Sequence, residues 1–293
     1  MAAPTLSLHE LAARCVGCAT IDGKLALTAE AAARFESGEA RPERSALVAA
    51  DLGTIPGRPP RPRLVAPRHL PRRALASAEG RAALIHAVAH IEFNAINLAW
   101  DAVARFRGMP DAYHRDWVSV AVDEARHFGL LSARLGKLGY AYGDFDAHDG
   151  LWEMAVETAG SCLARMALVP RVLEARGLDV TPGMIERLRA VGDEATAAIL
   201  RIILREEVAH VAAGSRWFLW CCEREGVEPH ATFRSLIARH MRGGLRGPFN
   251  IEARLSAGFM AAELEELEAS CGEAPAEFRD TTRSRTPSDG LAA

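Results

Sequence analysis

The chain has 293 residues, of which 49% are apolar and 25% charged, with a formal net charge of −3. That is enough apolar material for one large domain or two small ones, and the charge balance excludes a generic polyanion binder. Alanine, leucine, arginine and glutamate dominate, whereas tyrosine and threonine are scarce, which favours helix over strand.

Residues 1–50 read as an N-terminal helical segment. Its amphipathic pattern runs over residues 7–37 and is interrupted at Asp22-Gly23. The start, MAAPTLSLHELAARCVGC, lacks the basic residues and the apolar stretch of a secretory signal. The six cysteines (Cys15, Cys18, Cys162, Cys221, Cys222 and Cys271) show no disulfide framework. Cys15-Val-Gly-Cys18 is a lone C-x-x-C without a second pair, so it reads as ordinary helix. No run of eighteen apolar residues occurs, so no membrane span is expected, and the expected location is cytoplasmic.

Residues 51–76 form a Pro/Arg-rich linker. Within it, LGTIPGRPPRPRLVAPRHLPRR carries six prolines and six arginines, a composition that admits neither helix nor central strand. Residues 77–226 are expected to form a four-helix bundle. Helix one starts at an N-cap-like Ser77 and stops at Gly108-Met109-Pro110. Helix two runs from about Asp111 to Leu138. Helix three runs from about Leu151 to Arg176, kinked at Pro170, and LDVTPGM breaks it from helix four. Helix four starts at either Met184 or Asp193 and ends before Gly226. Residues 227–270 add two C-terminal helices packed on the bundle, with Asn250 as a cap, and 271–293 read as a disordered tail. The fold class is therefore all-α, a four-helix bundle with extra N-terminal and C-terminal helices.

Residues three, four and seven apart share a helix face. Two segments, DEARHF and EEVAHV, repeat Glu-x-x-His. Glu124 and His127 share their face with Trp117, Val120, Ala121, Phe128 and Leu131. Glu207 and His210 share theirs with Leu200, Ile203, Val211 and Phe218. Glu92 lies on a face otherwise made of Ile85, Val88, Ala89, Ala95, Ile96, Ala99 and Val103. Each is an acid on an apolar stripe, a costly placement unless something pairs with it. On helix three, Glu153 and Glu157 occupy one side together with Gly160, Ser161 and Ala164. A faint echo favours Glu153: Glu92 precedes Ala104-Arg105-Phe106 much as Glu153 precedes Ala164-Arg165-Met166.

Four inward carboxylates without counterions would cost several kcal/mol each. Two divalent metals would balance them, and oxygen-rich ligation with one imidazole per metal suits iron or manganese. The expected ligands are Glu92, Glu124, His127, Glu153 (or Glu157), Glu207 and His210. Their order, Glu, Glu-x-x-His, Glu, Glu-x-x-His, matches that of dimetal carboxylate bundles. Asp123, Arg126, Glu206 and His148-Asp149 are candidates for a supporting shell.

The segments HIEFNAINLAWDAVARF, YHRDWVSVAVDEARHF, YGDFDAHDGLWEMA, ARMALVPRVLEARGLDVTPGMIERL, EEVAHVAAGSRWF and RGPFNIEARLSAGF carry a resemblance over roughly residues 60–265. They resemble the ferritin-like bacterial family catalogued as domain of unknown function 455. The resemblance implies a ferritin-like bundle holding two iron ions, or manganese, in a carboxylate-bridged centre. That family is distantly similar to the bacterial hydroxylase that modifies an isopentenylated adenosine in tRNA. By fold-level analogy, the expectation is an O₂-dependent oxidoreductase or hydroxylase. Its substrate would be an unknown small molecule or modified nucleoside, with an electron-donor protein; a tRNA partner rests on that distant similarity alone, and a homodimer is a further expectation. The competing readings are a ferroxidase or iron-handling protein, and a metal-binding module without turnover.

Overall fold

The structure is a computed structural model that describes residues 6–43, 56–71, 73–241 and 244–272. It is an all-α bundle. The N-terminal segment forms α1 (Leu8–Gly17) and α2 (Ile21–Glu36), separated at 18–20 rather than at Asp22-Gly23. Two-residue strands β1 (Leu6–Ser7) and β2 (Ala40–Arg41) pair in parallel beside them, a feature too short to leave a sequence signal. α1 packs along α3 (Ala78–Arg105), and its Leu8, Ala12 and Cys15 join the same apolar core as the bundle. The buried Lys24 on α2 caps the C-terminal end of α1. Its Nζ donates to Cys15 O (2.6 Å), Val16 O (3.2 Å) and Asn97 Oδ1 (2.6 Å). The C-x-x-C pair is helix and helix cap, with Cys15 buried at the lysine-capped end.

Of the Pro/Arg-rich stretch, the described part lies against residues 146–149. Arg58 pairs with Asp149 (3.0 Å) and Arg63 with Asp146 (2.5 Å), while Leu64 bridges to Ala147. The Ser77 hydroxyl caps α3 by accepting from Gly80 N. Among the described residues α3 alone is long and apolar enough to cross a membrane by length and composition. It is instead the central helix of the bundle, mostly buried, and it pairs most extensively with α4 (Asp111–Lys137).

Helix three departs from expectation. It is α5 (Gly150–Glu157), a turn, α6 (Cys162–Leu168), a π-helical segment (Val169–Glu174) and α7 (Ala175–Ala190). The break at 158–161 is held by the buried Arg165, which donates to Thr158 Oγ1 (2.8 Å) and Ala155 O (2.5 Å) and pairs with the fully buried Asp101 of α3 (2.5 Å). The π segment follows from Pro170, which lacks the N–H that an α-helix needs at that point. The ladder widens, and Ala175 N–H reaches back five residues to Pro170 O. Space for this bulge comes from Gly214 on the facing helix, where an added Cβ would lie 2.3 Å from Pro170 Cγ.

LDVTPGM, expected to break the chain, is helical within α7 despite Pro182. Leu178, Ile185 and Leu188 are buried on one face against α8 (Glu194–Glu225), and that packing outweighs local propensity. Of the two candidate starts for helix four, Asp193 is the cap, accepting from Thr196 N; the left-handed Gly226 ends the helix.

The C-terminal part forms α9 (Pro229–His240), α10 (Ile251–Ser256) and α11 (Ala261–Gly272), with Asn250 capping α10. They are tied to the π segment. The buried guanidinium of Arg171 sits 4.2–4.7 Å from the ring centroids of Phe218, Phe233 and Phe259 and donates to Glu263 (2.7 Å). The expected disordered tail lies, but for its first two residues, outside the described residues.

Candidate metal centre

Glu92, Glu124, His127 and Glu207 each offer a ligand atom, all within 4.8 Å of one another. Glu92 comes from α3, Glu124 and His127 from α4, and Glu207 from α8. His210, one turn beyond Glu207, places Nδ1 3.0 Å from Glu124 Oε1 and 3.5 Å from Glu207 Oε1. His127 Nδ1 lies 3.1 Å from Glu92 Oε2 and 3.6 Å from Glu124 Oε2. Five of the six residues singled out in the sequence are therefore together.

Glu153 is not among them, and neither is its alternative Glu157. Both are exposed on α5, because Trp152, Met154 and Ala155 form the buried side of that short helix. Glu157 accepts from His240 Nδ1 at 2.6 Å, on the outside. The small residues Gly160 and Ser161 fall in the turn and Ala164 in α6, and none of the three lines the cavity at the cluster. The expectation failed because it treated 151–176 as one continuous helix, so the face assigned to Glu153 was carried past a break that resets it.

The carboxylate that faces the cluster from helix three is Glu174, the last residue of the π segment. It is buried, with Glu207 and Glu124 as its charged neighbours. A signal for it exists in the sequence: Glu174 precedes Glu207 by 33 positions, and Glu92 precedes Glu124 by 32. An antiparallel helix pair with similar connections gives similar spacings, and neither Glu153 nor Glu157 fits that interval.

Electrostatics separates these groups into two classes. Burial, then the Glu124 charge, raises Glu92 well above the ordinary carboxylate range; burial and Glu124 also raise Glu207. Burial, with Glu207 and Glu124, pushes Glu174 up to about 8. Burial would raise Glu124 too, but the imidazoles of His127 and His210 hold it below the usual range. Burial would lower both histidines, but the carboxylates overturn it. Glu124 and Glu92 push His127 up to about 11, and Glu207, Asp123 and Glu124 raise His210 well above 6.5. The metal-free centre is thus balanced by protons, with imidazolium and neutral acid side by side.

Outside the cluster the two histidines are braced crosswise. His127 of α4 donates from Nε2 to Glu206 of α8 (2.7 Å), and His210 of α8 approaches Asp123 of α4 from Nε2 (3.4 Å). Each supporting acid immediately precedes a cluster glutamate, Glu207 or Glu124. Arg126, at the surface, pairs with both Asp123 (3.1 Å) and Glu206. These contacts fix each ring so that Nδ1 faces the cluster. His148-Asp149 is elsewhere in the shell: Asp149 pairs with Arg58, and His148 lines a cavity.

That cavity, about 310 Å³, lies on the opposite side, with Glu92, Glu124, Glu174 and Glu207 in its wall. The rest of its wall is mostly apolar, including Val88, Leu173, Val180, Met184, Leu200 and Ile203. The cluster therefore has a histidine side braced by surface charges and a carboxylate side opening into apolar space.

The donor set fits metal ions. Both Glu124 oxygens, Glu174 Oε2 and His210 Nδ1 are buried without a properly aligned hydrogen bond, although they lie among other polar atoms. Such atoms are costly to bury unpaired, and a cation would satisfy them together.

Fold and site define an all-α bundle with a buried glutamate–histidine cluster that could hold metal. The chain belongs to the family described as Protein of unknown function (DUF455), whose model matches residues 17–265. It is 47% identical over 214 residues to an uncharacterized protein of Haemophilus influenzae, an alignment covering 71% of this chain and 74% of the relative. No solved structure matches significantly.

Proposed function

We propose that the protein is a ferritin-like dimetal carboxylate oxidoreductase, holding two iron ions, or manganese, and using O₂ to oxidise an organic substrate. The ligands in this reading are Glu92, Glu124, His127, Glu174, Glu207 and His210. Four carboxylates neutralise two divalent ions, and each ion receives one imidazole. Bound there, the metals would supply the electrons and the binding positions for O₂ reduction.

The single observation that carries the reading is the cavity. An apolar space walled at one side by all four carboxylates suits a hydrocarbon group better than hydrated iron in transit, which needs polar surface along its way. The chain's own part is positional. Glu206 and Asp123 hold the two imidazoles in register, while Leu173, Leu200 and Ile203 keep water from the substrate side. For a hydroxylation, R–H + O₂ + 2e⁻ + 2H⁺ gives R–OH + H₂O, with the electrons drawn from a protein or small-molecule reductant.

Metal analysis of protein purified without added metal tests the centre. About two iron or manganese per chain are expected, lost on Glu124→Ala. Folding that is indifferent to metal, with no bound metal in any preparation, would sink the reading. Reductant-dependent O₂ consumption that rises on adding small-molecule extract separates an oxygenase from a ferroxidase, which would need only ferrous ion.

A further inference from the structure

Four independent features of the cavity narrow what it accepts. The first is size. An apolar cavity of roughly 150 Å³ holds a six-carbon ring, so about 310 Å³ corresponds to roughly a dozen carbon atoms on that scale. The second is direction. Glu207 and Leu200 line the same cavity seven residues apart on α8, and Glu174 and Met184 line it ten apart. At ~1.5 Å per residue, the space runs roughly 10–15 Å along the helices away from the carboxylates. It is therefore elongated, and its far end is Val88, Met184 and Leu200.

The third feature is Arg176, the only arginine or lysine among the described residues that line the wall. It stands two residues beyond Glu174, at nearly the same axial level as the cluster, and its side chain is 41% exposed, which places it at the opening. The fourth is the charge around it. Asp179 pairs with Arg176 at 3.4 Å, but both of its oxygens are taken by the buried Arg254 at 2.9 and 2.8 Å. Two guanidiniums share one carboxylate, which leaves a net positive charge. Arg176 Nη1 is further occupied by Arg246 O and Pro248 O (2.9 and 3.1 Å). These bonds hold the side chain in place without neutralising it. Its Nε and Nη2 make no hydrogen bond among the described residues.

We propose that this cavity binds a monocarboxylate with a hydrocarbon tail of about a dozen carbons, its anionic end on Arg176 and its tail towards Met184 and Leu200. The inference rests on the dimetal reading, because only a metal-filled cluster removes the charge of the four acids that would repel a carboxylate. A neutral hydrocarbon alone leaves Arg176 unused. A larger anion such as a nucleotide exceeds the volume. The carbons nearest the cluster are those next to the carboxylate, since head and cluster share one level of the bundle.

The test is calorimetric titration of the metal-loaded full-length protein with octanoate, decanoate, tetradecanoate and decanol, with metal content measured on the same samples. Decanoate should bind, each added methylene should tighten binding roughly fourfold, and the gain should stop near a dozen carbons. Arg176→Gln should weaken decanoate at least tenfold and leave decanol unchanged, with two metals still bound. Val180→Trp, at the half-exposed wall, should abolish both by filling the space; Ile203→Phe serves the same purpose should that variant fail to fold. No decanoate binding by protein that carries two metals overturns the inference and leaves the dimetal reading intact. Equal loss of decanoate and decanol in Arg176→Gln overturns the head-group assignment. Protein that takes up no metal defeats the dimetal reading itself.

Discussion

Glu174→Gln should move metal-free stability and metal affinity in opposite directions. In the metal-free protein Glu174 is buried and its carboxyl is pushed up to about 8, against an ordinary 4.5. The folded chain thus holds a proton that the unfolded chain releases above pH 4.5. Stability is lost between pH 4.5 and about 8 and is level beyond. At about 1.4 kcal/mol per pH unit, this single group costs up to ~5 kcal/mol at pH 8.5. Glutamine keeps the shape and carries no charge. In chelator, the variant should match wild type near pH 4.5 and exceed it by several kcal/mol at pH 8.5, read from urea unfolding at both pH values. With metal present the order should reverse, since the variant lacks one carboxylate and should bind metal at least about 100-fold more weakly, the loss expected when ~3 kcal/mol of interaction is removed. A variant no more stable than wild type at pH 8.5 in chelator, with its metal content unchanged, would refute the placement of Glu174 at this centre.

Other consequences are directly measurable. Metal uptake must displace protons from His127 and His210, whose imidazoles are held well above 6.5, so affinity should rise with pH across 6–9 and uptake in weak buffer should acidify it. Asp123→Asn and Glu206→Gln should each weaken metal binding about 10–100-fold while circular dichroism stays that of wild type. Gly214→Ala places a methyl group against Pro170 and should cost about 1–3 kcal/mol in thermal unfolding, with metal lost as the π segment shifts; full metal content and an unchanged melting temperature would contradict that coupling. Glu153→Ala and Glu157→Ala should leave metal content unchanged and alter stability by less than about 1 kcal/mol, as for other exposed groups.

The parts of this molecule that were legible in the sequence are those where a regular period runs unbroken. Glu92, Glu124, His127, Glu207 and His210 sit on α3, α4 and α8, each helix 27–32 residues long, so face arithmetic holds from end to end. Helix three has no such period. A turn at 158–161 and an i→i+5 stretch at 169–174 each reset the angle, so the face shared by Glu153 and Glu157 with Gly160, Ser161 and Ala164 on an unbroken helix does not exist in the fold. Pro170 was visible as a disturbance, but its effect depends on Gly214, 44 positions away, which leaves room for a bulge where a kink was expected. Pro182 misled in the other direction, because buried Leu178, Ile185 and Leu188 hold its helix together. The cavity could not be read from sequence, since it is the space left between α3, α7 and α8 once their separations are fixed.

The crosswise bracing of the histidines has a consequence for anyone who wishes to move this centre elsewhere. Asp123 on α4 orients the imidazole of α8, and Glu206 on α8 orients that of α4. Neither helix carries a complete half-site, so the smallest transferable unit is the α4–α8 pair at its native register. Sliding one helix by a turn would pull both supporting acids from their partners at once, even with every glutamate and histidine still present. A transplant that copied only the ligands into a new scaffold would inherit the composition of the centre without its alignment.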